Sequence, residues 1–129
     1  MKIYDVVEEY IKYERMDINV EIKYSLEEIK NKVNLLRNKI KEEILRTEDT
    51  KELKRIINDF KLVLTPAEEF MIYNRFFYLI KNDKDVIESF IEILYFWGPD
   101  YDDEIEIINK LLEKNEIEKA SEVCMRIKY

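Results

Sequence analysis

The sequence predicts an all-α fold: a compact bundle of six to seven helices around a central aromatic-rich helical hairpin at about residues 66–97, with a second helical hairpin at the C-terminus. Three observations predict it. One Gly and two Pro in 129 residues leave few points where a helix must break. A chain that is 40% charged and 47% hydrophobic can place both kinds of residue on opposite faces of amphipathic helices. Apolar residues also recur at steps of three and four through nearly every segment. The length suits a single domain, 1–129, that needs neither metal nor disulfide to hold its core. Gly98-Pro99 is the natural subdomain hinge.

The first helix is expected from about Lys2 to Arg15, with Ile3, Val6, Val7, Tyr10 and Ile11 on one stripe. Ile18, Val20, Ile22 and Tyr24 then alternate with polar residues, the period of an extended segment at 18–24. Ser25 and Glu28 have the spacing of a capping box. The helix they open carries Leu26, Ile29, Val33, Leu36, Ile40 and Ile44, a seam suited to an antiparallel hairpin with a neighbouring helix. Asp49 or Thr50 caps a third helix bearing Leu53, Ile56, Ile57, Phe60, Val63 and Leu64.

Thr65-Pro66-Ala67-Glu68 is the strongest local signal: an N-cap Thr, a Pro at the first helical position and a Glu placed to close a capping box. The fourth helix that follows is apolar around almost its whole circumference from Phe70 to Ile80, so it is expected to be buried on several sides. A fifth helix, about Lys84 to Trp97, shows Val86, Ile87, Phe90, Ile91, Leu94 and Tyr95 on a broad face. Nine of the sixteen aromatic residues fall between Phe70 and Trp97. Gly98-Pro99 stops this helix, because Gly suits a left-handed position and Pro cannot continue. Asp100, Asp102 or Asp103 starts a sixth helix with Ile105, Ile108, Leu111 and Leu112 inward. Asn115 ends it, and a last helix turns Ile117, Ala120, Cys124 and Ile127 to the core.

Catalytic readings find little support. The chain has no His, the commonest general base and metal ligand. Gly98, the only glycine, leaves no Gly-rich loop to wrap a phosphate. No serine sits in a nucleophile-elbow context, and the single Cys124 lies on an apolar helix face as a packing residue. Asp100 to Glu104, read as DYDDE, lacks calcium-loop spacing and is explained by helix capping. Adjacent glutamates such as Glu68/Glu69 read as capping and solvated-face residues. The reading is therefore a non-enzyme with no catalytic residue, no cofactor and no metal.

No run of about 18 uncharged apolar residues exists to cross a membrane, and no leader is visible, so the expected location is cytoplasmic. Abundant Lys and Glu with no Gln match the composition of heat-loving organisms. The net charge of −7 opposes general nucleic-acid coating. One segment, residues 26–65, is net basic, and Lys30, Arg37, Lys41, Lys54 and Arg55 on it are the candidates for a nucleic-acid contact. A solvated helix face with i,i+4 partners explains the same residues.

The order YIKYER, a short gap, a long charged helix, ELKRIINDF and LTPAEEF resembles the helical domain of archaeal GINS replication subunits over residues 1–77. The chain lacks the Arg-x-x-Lys-Ile signature of that domain and has a helical tail where its small β domain would be. The resemblance implies a subunit of a replication assembly.

The expected function is a non-catalytic protein–protein interaction module or small subunit of a larger assembly. Its partner is another protein or a second copy, and nucleic acid is met only indirectly. Tyr13, Arg75, Tyr78, Phe96, Trp97 and Tyr101 are the partner-binding candidates, because Tyr, Trp, Phe and Arg are enriched at interface centres. Two alternatives stand beside it: an acidic viral or plasmid-type regulator occupying a basic groove of its target, and a nucleic-acid binder using the basic stripe.

Overall fold

A computed structural model describes residues 2–15 and 26–129. The alternating segment at 18–24 and the Ser25 half of its capping box lie outside the described residues. The described residues are all-helical, with no strand among them. The helices are α1 (Ile3–Arg15), α2 (Leu26–Arg46), α3 (Thr50–Phe60), α4 (Pro66–Leu79), α5 (Lys84–Phe96), α6 (Asp102–Glu113) and α7 (Ile117–Arg126), with one 3-10 turn at Pro99–Tyr101. They fall into two units, Met1–Thr47 and Glu48–Tyr129, and Gly98-Pro99 lies inside the second.

In the first unit α1 and α2 form a hairpin. Ile3, Val6, Val7, Tyr10 and Ile11 are buried on α1, and Ile29, Leu36, Ile40 and Ile44 on α2, the stripes that the spacing predicts. Lys32 pairs with Glu9 at 3.6 Å, and Arg37 Nη2 donates to the Tyr10 hydroxyl at 3.2 Å. The Lys32 ammonium also lies over the Tyr13 ring, so the earlier residue of α2 reaches further along α1 than Arg37 does, an antiparallel course.

The second unit holds α3 to α7. Asp49 caps α3 by accepting the Glu52 N–H at 3.1 Å, and Asp83 caps α5 by accepting that of Val86 at 3.1 Å. Thr65 and Pro66 open α4 where expected, but the capping box does not form: the Thr65 side chain makes no cap hydrogen bond. Glu68 and Glu69, expected on a solvated face, are both buried. Glu69 turns back to the α3–α4 connection, where its Oε1 accepts the Leu62 N–H at 2.9 Å. Leu62 has φ of +62°, a left-handed backbone that a leucine adopts only at a cost of about 1–2 kcal/mol.

The core is aromatic. Phe90 of α5 lies 5.0 Å from Tyr73, 5.4 Å from Phe70 and 5.7 Å from Phe77 of α4, ring centre to ring centre. These rings join α4 to α5 as the expected central hairpin, whereas the backbone of α4 runs closest to α7. The α4–α7 pair is tied at two places. Asn74 Nδ2 donates to the carbonyls of Ile127 at 2.9 Å and Cys124 at 3.2 Å, satisfying the last turn of α7. In return Ser121 Oγ donates to the Lys81 carbonyl at 2.8 Å.

The C-terminal hairpin α6–α7 is also present. Asn115 sits at φ +58°, with its N–H on the Leu112 carbonyl and the Glu116 N–H on that of Leu111. That pair of bonds is a Schellman closure, and Asn tolerates the left-handed position it requires. At the end of α5, Gly98 has φ of +107° and its N–H bonds to Tyr95, but Pro99 has no N–H to supply the second bond. The chain leaves the helix there and enters the 3-10 turn.

Candidate interaction surface

The six partner-binding candidates lie in three places. Tyr13 belongs to the first unit, where it is half-buried with the Lys32 ammonium 5.6 Å from its ring centre. Arg75 and Tyr78 form a pair on α4: the guanidinium lies 5.0 Å from the Tyr78 ring centre, and Tyr78 is exposed. Phe96, Trp97 and Tyr101 gather at the C-terminal end of α5.

That third place is the richest. Phe96 is 58% exposed and meets Trp97 edge-to-face at 4.9 Å. Trp97 meets Tyr129, 65% exposed, at 6.2 Å. Tyr129 and Tyr101 each lie 5.6 Å from Phe70, so the surface rings stand directly on the buried cluster. A rigid core beneath exposed rings spares them the ordering cost that flexible side chains incur on binding. The Trp97 indole Nε1 is buried with no hydrogen-bond partner.

Two residues of this end escape the sequence reading. Tyr95, assigned there to the buried face of α5, is 60% exposed, and Ile93 is buried instead. Tyr129 carries no periodic signal because it follows the last helix. A groove of about 470 Å³ runs along α6, with Tyr95 of α5 at its side.

The basic candidates divide between the two units. Lys30, Arg37 and Lys41 belong to the first unit and Lys54 and Arg55 to the second. Lys30 and Arg37 line a small groove between α1 and α2 together with Tyr13 and Glu14. The Arg37 guanidinium is tied to Tyr10. Lys54 is paired with Asp83 at 2.7 Å, and this bond raises its pKa above the ordinary lysine value. Arg55 lies 3.9 Å from Asp59.

Burial shifts two groups of the core. It pushes the Cys124 thiol up to about 12, which keeps the sulfur un-ionised and a poor nucleophile. It also raises the Tyr73 phenol, with the carboxylates of Glu69 and Glu92 adding to the effect. Among the described residues, no three His, Cys, Asp or Glu side chains converge to hold a metal, and no helix is long and apolar enough to cross a membrane. Set against protein-family models, curated proteins and solved structures, the chain matches none.

Proposed function

We propose that this chain is a non-catalytic protein–protein interaction module, a small subunit of a larger assembly, and that it engages its partner through the aromatic end of α5. The observation that carries this reading is the pair of rings that flank Trp97, Phe96 and Tyr129, each at least 58% exposed. Rings of this size are the commonest hot-spot anchors, and a cluster of them on a soluble surface marks a binding face more often than a single exposed apolar residue does. The buried rings of Phe70 and Phe90 beneath them hold the surface in one arrangement.

A photo-crosslinking residue at Phe96 or Tyr129, introduced into the full chain in its native host, tests the reading. The expected result is one discrete crosslinked protein species from both positions and none from Lys51, an exposed residue of α3. Absence of any crosslinked species from either position, with light scattering reporting a lone monomer, overturns it.

A further inference from the structure

The charge of the chain is sharply divided between its two units. Met1–Thr47 carries ten basic and ten acidic residues, and Glu48–Tyr129 carries 12 basic and 19 acidic, so the whole formal charge of −7 resides in the second unit. Within that unit the excess is concentrated at α6. Residues 99–113 contain six acidic side chains and one basic, Lys110.

Helical spacing arranges part of this charge in a row. Asp102, Glu106, Asn109 and Glu113 stand at i, i+4, i+7 and i+11, one face of α6, and all four line the groove beside α5. At a rise of about 1.5 Å per residue the row is about 16 Å long. Tyr95 forms the facing wall, and buried Ile105 also lines it. The three carboxylates of the row are exposed. Lys110, the one cation among the described residues that line the groove, pairs with Glu106 at 3.0 Å, and both side chains of that pair are 66% exposed. Exposed pairs of this kind contribute little, so an incoming cation displaces Lys110 at little cost.

We propose that the α5–α6 groove seats a cationic amphipathic helix of a partner protein, with Lys or Arg side chains repeating every third or fourth residue along the acidic row and one cation over the Tyr95 ring. Charge complementarity selects this occupant. A row of carboxylates repeating at helical steps matches cations repeating at the same steps, and the exposed face of a tyrosine attracts a guanidinium or ammonium. The same field repels nucleic acid and anionic lipid. The inference rests on the interaction reading above and gives the partner's chemistry.

Fluorescence anisotropy with a labelled 14-residue peptide of arginine and leucine at helical spacing tests it. A peptide with glutamate in place of arginine is the control, and both are titrated with the full chain in 50 mM salt. The arginine peptide is expected to bind and the glutamate peptide not to bind. Tyr95→Ala should weaken binding about threefold to tenfold. Asp102→Asn with Glu113→Gln should weaken it on the order of tenfold and flatten its salt dependence. Glu118→Gln with Glu122→Gln removes the same charge from exposed positions of α7 and should leave binding within about twofold, since only the α6 row is engaged. No binding of the arginine peptide overturns the inference, as does equal weakening by the α6 and α7 pairs, which would signify diffuse attraction. Crosslinking from Phe96 that survives the α6 substitutions in the cell leaves the interaction reading standing while sinking this one. Loss of both sinks both.

Discussion

Replacing Glu69 with Gln isolates the cost of one buried carboxyl. Glu69 is 3% exposed; its Oε1 accepts the Leu62 N–H, and its Oε2 is buried with no hydrogen-bond partner. Burial lifts this carboxyl from its ordinary 4.5 to about 7, and the Leu62 N–H and the charge of Lys61 pull it down by less. The charge of Glu69 also acts on the Tyr73 phenol one turn along α4, and Lys61 is itself paired with Glu92 of α5. Between pH 4.5 and 7 the native protein therefore holds a proton that the unfolded chain has released. The unfolding free energy must fall as pH rises through that window, and it is fully restored below it. A rise from 4.5 to about 7 corresponds to about 3 kcal/mol, at roughly 1.4 kcal/mol per tenfold change in proton affinity.

Urea unfolding followed by far-ultraviolet circular dichroism, at pH 4.5, 6, 7 and 8, measures this directly. The native sequence should lose about 2–3 kcal/mol relative to Glu69→Gln between the lowest and highest pH, on the order of 10 °C in Tm. The Gln amide keeps an oxygen for Leu62 but buries an NH2 group, a cost that does not vary with pH. The diagnostic is consequently the difference in slope and not the offset. Parallel profiles for the two proteins would refute the argument that burial raises the Glu69 carboxyl to about 7.

Three further outcomes follow from the same geometry. Asn74→Ala removes the donor to the Cys124 and Ile127 carbonyls and should destabilise the protein by about 2–3 kcal/mol in urea; a loss under about 0.5 kcal/mol would show that water replaces the amide at no cost. Gly98→Ala meets open space, so its penalty is backbone strain alone at φ +107°, about 1–3 kcal/mol, and an unchanged unfolding midpoint would contradict that conformation. Cys124, buried and pushed up to about 12, should resist a disulfide reagent at pH 8 in the native protein and react at once in denaturant; rapid native reaction would place the thiol at the surface.

The helices were legible because their determinants are local. Three-four spacing marks the α1 and α2 stripes, and Asp49, Thr65-Pro66, Gly98 and Asn115 each fall where a helix starts or stops. What escaped notice depends on partners far along the chain. Nothing around Glu69 signals burial, since its environment is set by a left-handed turn at Leu62 seven residues earlier. The pairing of α4 with α7 runs through Asn74 and carbonyls fifty residues away, beyond the reach of any periodic pattern. Tyr95 illustrates the same limit at the surface. Val86, Ile87, Phe90 and Leu94 define a face broad enough to include position 95 or position 93, and local spacing does not choose between them. Packing buries Ile93 and leaves Tyr95 against the acids of α6. A half-apolar side chain is the one that loses least at such a boundary, because its ring can lie on the groove while its hydroxyl stays in water. The same helix starts that made the α6 carboxylates look like simple caps also align Asp102, Glu106 and Glu113 in one row. Capping accounts for acidic residues in the first turn of α6, within reach of its positive end, but Glu106 and Glu113 lie beyond that turn. Their position opposite Tyr95 is a property of the surface that only the packed α5–α6 pair brings together.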